Sequence, residues 1–385
     1  MLFKVPALPK DVLEVVERIE EARQRLRYAT SEKRVWEGLL RRVTLAKVVQ
    51  SSNSIEGLDV SNDDALAAIK SDQPIDADPD SETWIATLGY RDAMTYVLQL
   101  ADDPHFRFSE DLIRSLHFMM MKYDLRKHPG RWRPGAIFVR NEALKKVVYT
   151  GPDAGQVPSL MNEYVRSLTK KDSPALIRAA MAHLNLTMIH PFSDGNGRMA
   201  RIMQSLVLSR EGILAPEFCS IEEYLRQDTA GYYEVLAQVG AGSWHPERNA
   251  LPWVRFCLMA HHRQTNHLIR RTEFFRSLFD EIEKLIENRR LPPRMVLPLA
   301  EATIGNTLTN SNYRASADVS LNLASRDLKN LSDLGLLEPS GQRRGRYYVG
   351  SRDLKKQILT QINIPKLDDN PFKPDQPDLP GLGLL

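Results

Sequence analysis

The segment from 189 to 201 reads IHPFSDGNGRMAR, and its residue types are those of polyphosphate chemistry. A loop of Asp, Gly, Asn and Gly that opens a helix lets backbone N–H groups converge on an anion, and the helix dipole favours negative charge there. Arg198 and Arg201 are three residues apart, so both can reach one anion from the same side of the first turn. Asp194, just before the glycines, can hold Mg²⁺ that bridges phosphate oxygens. His190, closing the preceding helical stretch, can take a proton from a hydroxyl. The same residues would also make an interhelical turn stapled by Arg–Asp pairs, because Asp-Gly-Asn-Gly is a good turn sequence.

Two helical patterns must position this loop, 174–189 before it and 197–209 after it. Upstream, Val12, Val15, Val16 and Ile19 share one helical face, and Val35, Trp36, Leu39, Leu40 and Val43 another. The stretch SDQPIDADPD (71–80) reads as a loop, followed by helices through Trp84, Leu88, Met94 and Leu98 and from Ser109 to Met121. Two short β-rich runs, 136–139 and 146–149, predict a hairpin in a helical region. Helices are expected again over 159–168, 220–237 and 252–286. After ENRRLPPR (287–294) the rhythm changes to short helices over 295–302, 316–323 and 325–334. A basic hairpin, GLLEPSGQRRGRYYVG, follows, and this is the order of a winged helix-turn-helix. The Pro-rich stretch from Pro365 onward is expected to be disordered. The fold class is mainly α.

With 42% hydrophobic and 26% charged residues and a formal net charge of +3, the chain is too mildly basic to imply nucleic-acid or membrane binding by charge alone. No uncharged run approaches the ~18 apolar residues of a membrane span, and the first thirty residues turn charged too early for a secretory signal. The two cysteines, Cys219 and Cys257, lie far apart without metal-ligand spacing and predict small buried thiols in a reduced, cytoplasmic protein. His261, His262 and His267 form no i, i+4 pair, which argues against zinc and places them at the surface or as caps. Trp84, Trp244 and Trp253 read as core or rim aromatics.

Residues 190–201 resemble the signature of the Fic family, H-x-F-x-[D/E]-G-N-G-R-x-x-R, at every specified position. The resemblance extends over roughly 30–260. It implies a Fic-type helical bundle with a small β-hairpin flap, followed by a winged helix-turn-helix domain. The implied organisation is an N-terminal helical region (1–100) with an inhibitory helix at about 45–57, a catalytic core (101–287) with the flap at 136–150, a winged-helix-like domain (288–350) and a tail (351–385). The implied activity is Mg²⁺-dependent transfer of AMP from ATP to a Ser, Thr or Tyr hydroxyl of a target protein or of the chain itself. His190 would deprotonate the hydroxyl, Phe192 would anchor the loop, and Asp194 would hold Mg²⁺. The backbone of Gly195, Asn196 and Gly197 would form the anion hole, with the Asn196 side chain also on phosphate. Arg198 and Arg201 would bind the β/γ end. Tyr233 and Leu236 would wall the adenine. Ile137, Phe138, Val139 and Val148 of the flap would pair with an extended segment of the target. Many relatives carry a Pro run after the flap, where this chain has only Pro152 and Pro158. Gly197 fits the AMP-transferring pattern, since the phosphorylating branch carries Lys there. Phosphocholine and UMP transfer use nearly the same motif and remain alternatives.

SNSIEG (52–57) resembles the family's inhibitory motif, [S/T]-x-x-x-E-[G/N], placed before the core. By that resemblance Arg201 pairs either with Glu56 or with a γ-phosphate, so the Glu-bound state would hold ATP unproductively. Ser52, one turn earlier, would brace the lid, and Glu56 would also position water for removing AMP. In the C-terminal unit, Arg343, Arg344 and Arg346 with Arg326 and Lys329 would meet DNA phosphates, against the acidic Asp327 and Asp333. Protein contacts, including a homodimer, are the alternative use. A nucleotide-sensing transcriptional regulator is the alternative function.

Overall fold

The computed structural model describes residues 1–30, 34–141, 146–341, 346–364 and 370–372. Helix α1 (Lys10–Ala29) buries Val12, Val15, Val16 and Ile19, the i, i+3, i+4, i+7 face that its sequence dictates. Helix α2 (Val35–Ile55) differs. From Thr44 to Ile55 nearly every residue is buried, polar ones included, so it threads the core rather than lying on it. Helices α3 (Asn62–Lys70), α4 (Glu82–Leu100) and α5 (Glu110–Met121) each begin on a serine whose hydroxyl accepts a first-turn N–H: Ser61, Ser81 and Ser109.

Strands β1 (Phe138–Asn141) and β2 (Lys146–Thr150) form the hairpin, antiparallel, with Phe138 opposite Thr150, Val139 opposite Tyr149 and a bulge after Val139. Helix α6 (Val157–Leu168) leads into the central pair, α7 (Ala175–Ile189) and α8 (Asn196–Ser209), which pack closely on one another and are buried almost throughout. The segment expected as one helix over 220–237 is divided. After α9 (Pro216–Cys219), α10 (Glu222–Gln227) ends and α11 (Thr229–Gly240) restarts because the Asp228 carboxylate accepts the Gly231 N–H at 3.1 Å. Helix α12 (Leu251–Asn288), 38 residues long, packs on α1, α2, α7 and α11 and carries the chain to the C-terminal unit.

That unit comprises α13 (Val296–Thr303), α14 (Asn310–Ala317), α15 (Leu321–Asp333) and the antiparallel pair β3 (Leu337–Ser340) and β4 (Tyr347–Gly350). The helix expected over 316–323 is corrected: Asp318 adopts φ 49°, closing α14, and the Ser320 hydroxyl caps α15. Leu308 adds an antiparallel bridge to Tyr348. Asp327 lies inside the unit, where it accepts Arg294 at 2.6 and 2.9 Å and the Tyr313 hydroxyl at 2.9 Å. Buried Glu301 of α13 takes Lys70 at 3.0 Å and Arg42 at 3.6 Å, tying the unit to α3 and α2. The tail expected from 351 is corrected at its start: α16 (Arg352–Leu359) buries Leu354 and Ile358 against α12 and α13. Phe372 lies 5.1 Å under the Arg255 guanidinium. Residues 365–369 and 373–385, and with them most of the Pro-rich stretch, lie outside the described residues. Both cysteines are free and buried. Trp84 and Trp253 are core residues, and Trp244 is half-buried.

Candidate active site

Helix α7 stops at Ile189 because His190 takes φ 51°, a left-handed conformation that a side chain adopts only under constraint. The constraint is Arg133. Its Nε–H donates to the His190 carbonyl at 2.8 Å, its Nη1 to Gly135 O at 2.6 Å and its Nη2 to Pro152 O, while its backbone N–H meets Pro191 O at 2.9 Å. One buried guanidinium thus fixes the end of α7 to the base of the hairpin. The Nδ1–H of His190 donates to Thr187 O at 3.1 Å, which leaves Nε2 as the free acceptor. Burial, with Arg133 close by, lowers the imidazole pKa to about 4, so the ring is neutral at physiological pH.

Phe192 is fully buried and stacks on His117, ring centroids 3.7 Å apart and nearly parallel, with Trp132 at 5.1 Å. His117 accepts the Gly130 N–H at 2.8 Å and donates to the Asp194 carbonyl at 3.0 Å. Burial holds its pKa near 4. Gly195 has φ 75°, and a Cβ there would lie 2.7 Å from Met120 Cε. The Asn196 side chain, expected on phosphate, is engaged within the loop. Its Oδ1 accepts the Phe192 N–H at 2.9 Å and its Nδ2 donates to Phe192 O at 3.0 Å, closing the loop on itself. The first-turn N–H groups of α8 remain as the anion-facing donors.

Arg198 is buried with only the Met121 sulfur, 3.1 Å from Nη2, as partner; its Nε and Nη1 find none among the described residues. Arg201 is buried too, and its Nε donates to Ser52 Oγ at 2.8 Å and its Nη2 to Ser52 O at 3.0 Å and Glu56 Oε1 at 2.7 Å. Burial opposes its charge, but the Glu56 carboxylate more than offsets that and raises the guanidinium pKa. Glu56 follows the last turn of α2, ahead of Gly57 at φ 79°.

A cavity of about 610 Å³ opens in front of this loop. Its lining includes Glu56, His190, Asp194, Gly195, Asn196 and Gly197, the flap residues Ile137, Phe138, Val139 and Val148, and Tyr232, Tyr233 and Leu236 of α11. A model of the Fic/DOC family matches residues 107–208, which contain the flap, α7, the loop and most of α8. Those residues are a Fic domain.

Among similar proteins, the protein adenylyltransferase Fic of Nematostella vectensis is 29% identical over 163 residues, 41% of this chain and 35% of that protein. The protein of the same name from Drosophila melanogaster is 33% identical over 122 residues, 29% of this chain and 22% of that one. The chain therefore spans about a third or less of the curated relatives it matches. Among solved structures, a Fic family protein from Desulfovibrio desulfuricans G20 superposes with a TM-score of 0.56 at 20% identity, covering 91% of this chain and 99% of that one. Fic-1 from C. elegans does so with 0.53 at 22%, covering 67% and 72%. At these identities the likeness is one of fold.

Around the Fic loop the cavity brings together His190, Asp194, Glu56, the flap and the α11 wall, while Arg198 and Arg201 lie behind its lining. Asp194 is half-exposed, with Oδ1 on the Gly195 N–H at 2.6 Å and Oδ2 3.4 Å from Lys127 Nζ. Among the described residues no group of three or more His, Cys, Asp or Glu forms a self-sufficient metal site. Tyr233 reaches Ile55 O through its hydroxyl at 3.4 Å, so the α11 wall touches the end of α2. Sequence reasoning missed Arg133, His117 and Lys127, and also Tyr149, whose hydroxyl donates to Met188 O at 2.7 Å. Each acts on a main-chain carbonyl or on a residue distant in sequence, and no spacing pattern marks such a role. His261, expected at the surface, is buried, with Gln204 donating to its Nε2 at 2.9 Å.

Among the described residues no helix is long and apolar enough to cross a membrane.

Proposed function

We propose that this chain is a protein adenylyltransferase, held inactive by Glu56. The observation that carries the reading is the 2.7 Å pair between Glu56, at the end of α2, and Arg201 of α8, beside the glycine-rich loop. The curated relatives named protein adenylyltransferase support the chemistry. In the working state the hydroxyl of a target Ser, Thr or Tyr attacks the α-phosphorus of ATP. Its proton passes to His190 Nε2, the bond from the α-phosphorus to the bridging oxygen breaks, and pyrophosphate leaves. A neutral His190, aimed by Arg133, suits this proton transfer. The α8 N–H groups, Arg198 and Arg201 take the β/γ end, and Tyr233 with Leu236 takes the adenine side. Asp194, a single accessible carboxylate beside a lysine, fits a cation shared with the nucleotide. Mg²⁺ bound there would neutralise charge on the α- and β-phosphates. The exposed edge of the flap, with Phe138 at its rim, aligns the target or a second copy of the chain by main-chain pairing.

Intact mass after incubation with Mg·ATP tests this. Glu56→Gly gains AMP, on itself or an added target, at least about tenfold faster than wild type, and Glu56→Gly/His190→Ala gains none. Label arriving only from the γ-phosphate overturns the assignment in favour of a kinase.

A second reading concerns the C-terminal unit. With Asp327 turned inward, Arg326 and Lys329 on α15 and Arg346 just before β4 are exposed beside Asp333, which supports contact with nucleic-acid phosphates. Arg343 and Arg344 lie outside the described residues. A gel shift that weakens with salt is expected, and no shift at low salt removes the idea.

A further inference from the structure

Asp194 has one ion-pair partner among the described residues, and it comes from a distant part of the chain: Lys127 Nζ lies 3.4 Å from Oδ2. The fold brings the two together through His117. This fully buried ring of α5 accepts the Gly130 N–H at 2.8 Å through Nδ1 and donates to the Asp194 carbonyl at 3.0 Å through Nε2. One imidazole thus pins the turn that carries Lys127 to the loop that carries Asp194. The turn itself is tight. Leu125–Lys127 form a 3₁₀ turn, His128 follows at φ 50° and Gly130 at φ 75°, and Arg114 Nε donates to the Gly130 carbonyl at 2.8 Å. Arg126, the neighbouring cation, is engaged by both oxygens of Asp124 at 2.8 and 3.0 Å. Lys127 is the cation left for Asp194.

We infer that Lys127 is an exchanging phosphate-binding residue: it holds the Asp194 carboxylate in the empty site and passes to the phosphates of a bound nucleotide when a divalent cation takes its place. The inference deepens the adenylyltransferase reading and rests on it for the identity of the nucleotide.

Charge and reach are the reasons. Oδ1 of Asp194 already accepts the Gly195 N–H at 2.6 Å, so Oδ2 is the oxygen open to a cation, and it is the one the ammonium faces. An ammonium and a divalent cation at one carboxylate oxygen repel each other. Magnesium is commonly held by one or two carboxylates together with substrate phosphates, so a nucleotide that shares Asp194 brings its phosphates to the same carboxylate. The ammonium is free to follow them. Its side chain is 47% exposed and that of Asp194 42%, it rides on a flexible four-carbon stem, and an ion pair between such groups is weak. The pair suits exchange rather than stapling. Lys127 thereby opposes a divalent cation arriving alone and favours one arriving with nucleotide.

The test uses Lys127→Met, which keeps the length of the side chain and removes its charge, in the full chain carrying Glu56→Gly. Mn²⁺ titration without nucleotide, read by the electron paramagnetic resonance of the free ion, measures one half of the exchange. Lys127→Met is expected to bind Mn²⁺ at least about tenfold more tightly than its parent, because the competing charge is gone. Adding Asp194→Asn should abolish that gain. ATP titration in EDTA, read by calorimetry, measures the other half. There Lys127→Met is expected to bind about tenfold more weakly, because a charged phosphate contact is lost. Lys127→Arg keeps the charge and should return both affinities to near those of the parent. Opposite shifts for the two ligands are what exchange requires, and a merely structural role would not produce them. Unchanged Mn²⁺ affinity in Lys127→Met, or ATP affinity that does not fall, overturns the inference. If Glu56→Gly binds no ATP, the adenylyltransferase reading fails, and the Mn²⁺ titration still decides whether Lys127 and a divalent cation compete for Asp194.

Discussion

Gly197 and Glu56 compete for one volume: a Cβ at position 197 would lie 2.6 Å from Glu56 Oε1 and 3.3 Å from Arg201 Nη1. The missing side chain is what lets the Glu56 carboxylate reach Arg201. Position 197 is also in the first turn of α8, where alanine is a better helix former than glycine. Gly197→Ala should therefore loosen the lid without harming the helix. Basal AMP incorporation is expected to rise about tenfold, equivalent to ~1.4 kcal/mol of lost Glu56–Arg201 interaction. In the Glu56→Gly background the same substitution should give no further rise, and mass spectrometry of the four proteins reads the cycle.

Arg133 holds the strained His190 carbonyl with a geometry that a lysine lacks, since several separately directed N–H groups are in use. Arg133→Lys should misplace the imidazole by a fraction of an ångström while leaving the phosphate loop intact. We expect kcat to fall about 100-fold with little change in KM for ATP. Steady-state kinetics on the Glu56→Gly background measures both.

Asn196→Ala removes the clamp on both polar groups of the Phe192 backbone and leaves them buried. A loss of about 2–3 kcal/mol in unfolding free energy is expected, measured by urea denaturation. If the Asn196 side chain were instead a phosphate ligand, stability would hold and KM for ATP would rise.

Four histidines held below the ordinary imidazole pKa set the acid behaviour. Burial lowers His117 and His190 to about 4 and His183 and His261 to about 3. Each binds its proton more weakly folded than unfolded, where the value is about 6.5. Their stabilising contribution is thus complete above pH 6.5 and is lost progressively as pH falls toward 3. Thermal unfolding midpoints should be flat above pH 7 and drop steadily from pH 6.5 to 4. Transfer by the Glu56→Gly protein should keep its rate down to about pH 5, because His190 stays neutral there.

How much of the site was legible in the sequence differs from residue to residue. Phe192, Gly195 and the two arginines were readable because cradle geometry is local: glycine permits the positive φ, a helix start presents its N–H groups, and residues three apart share a face. Glu56 was legible only through likeness to a family motif, since its partner is 145 residues away. The bonds of the Asn196 side chain to Phe192 were not legible, because a clamp on a residue four positions back leaves no mark in the sequence that differs from a phosphate contact. The split at Asp228 and the start of α15 at Ser320 were missed because a capping side chain interrupts a helix without disturbing its hydrophobic period.

The sequence by itself determined that a glycine-rich loop joins two helices and carries a base, an acid and two cations, because backbone sterics and helix periodicity act over a few residues. Only the tertiary structure decided that Arg133 bends His190 into place, that His117 pins Asp194, and that Ser52 and Glu56 hold Arg201. Those relations depend on which buried polar groups meet when α2, α5 and α8 pack. A buried polar group must find a partner wherever the fold brings one, whatever the distance along the chain.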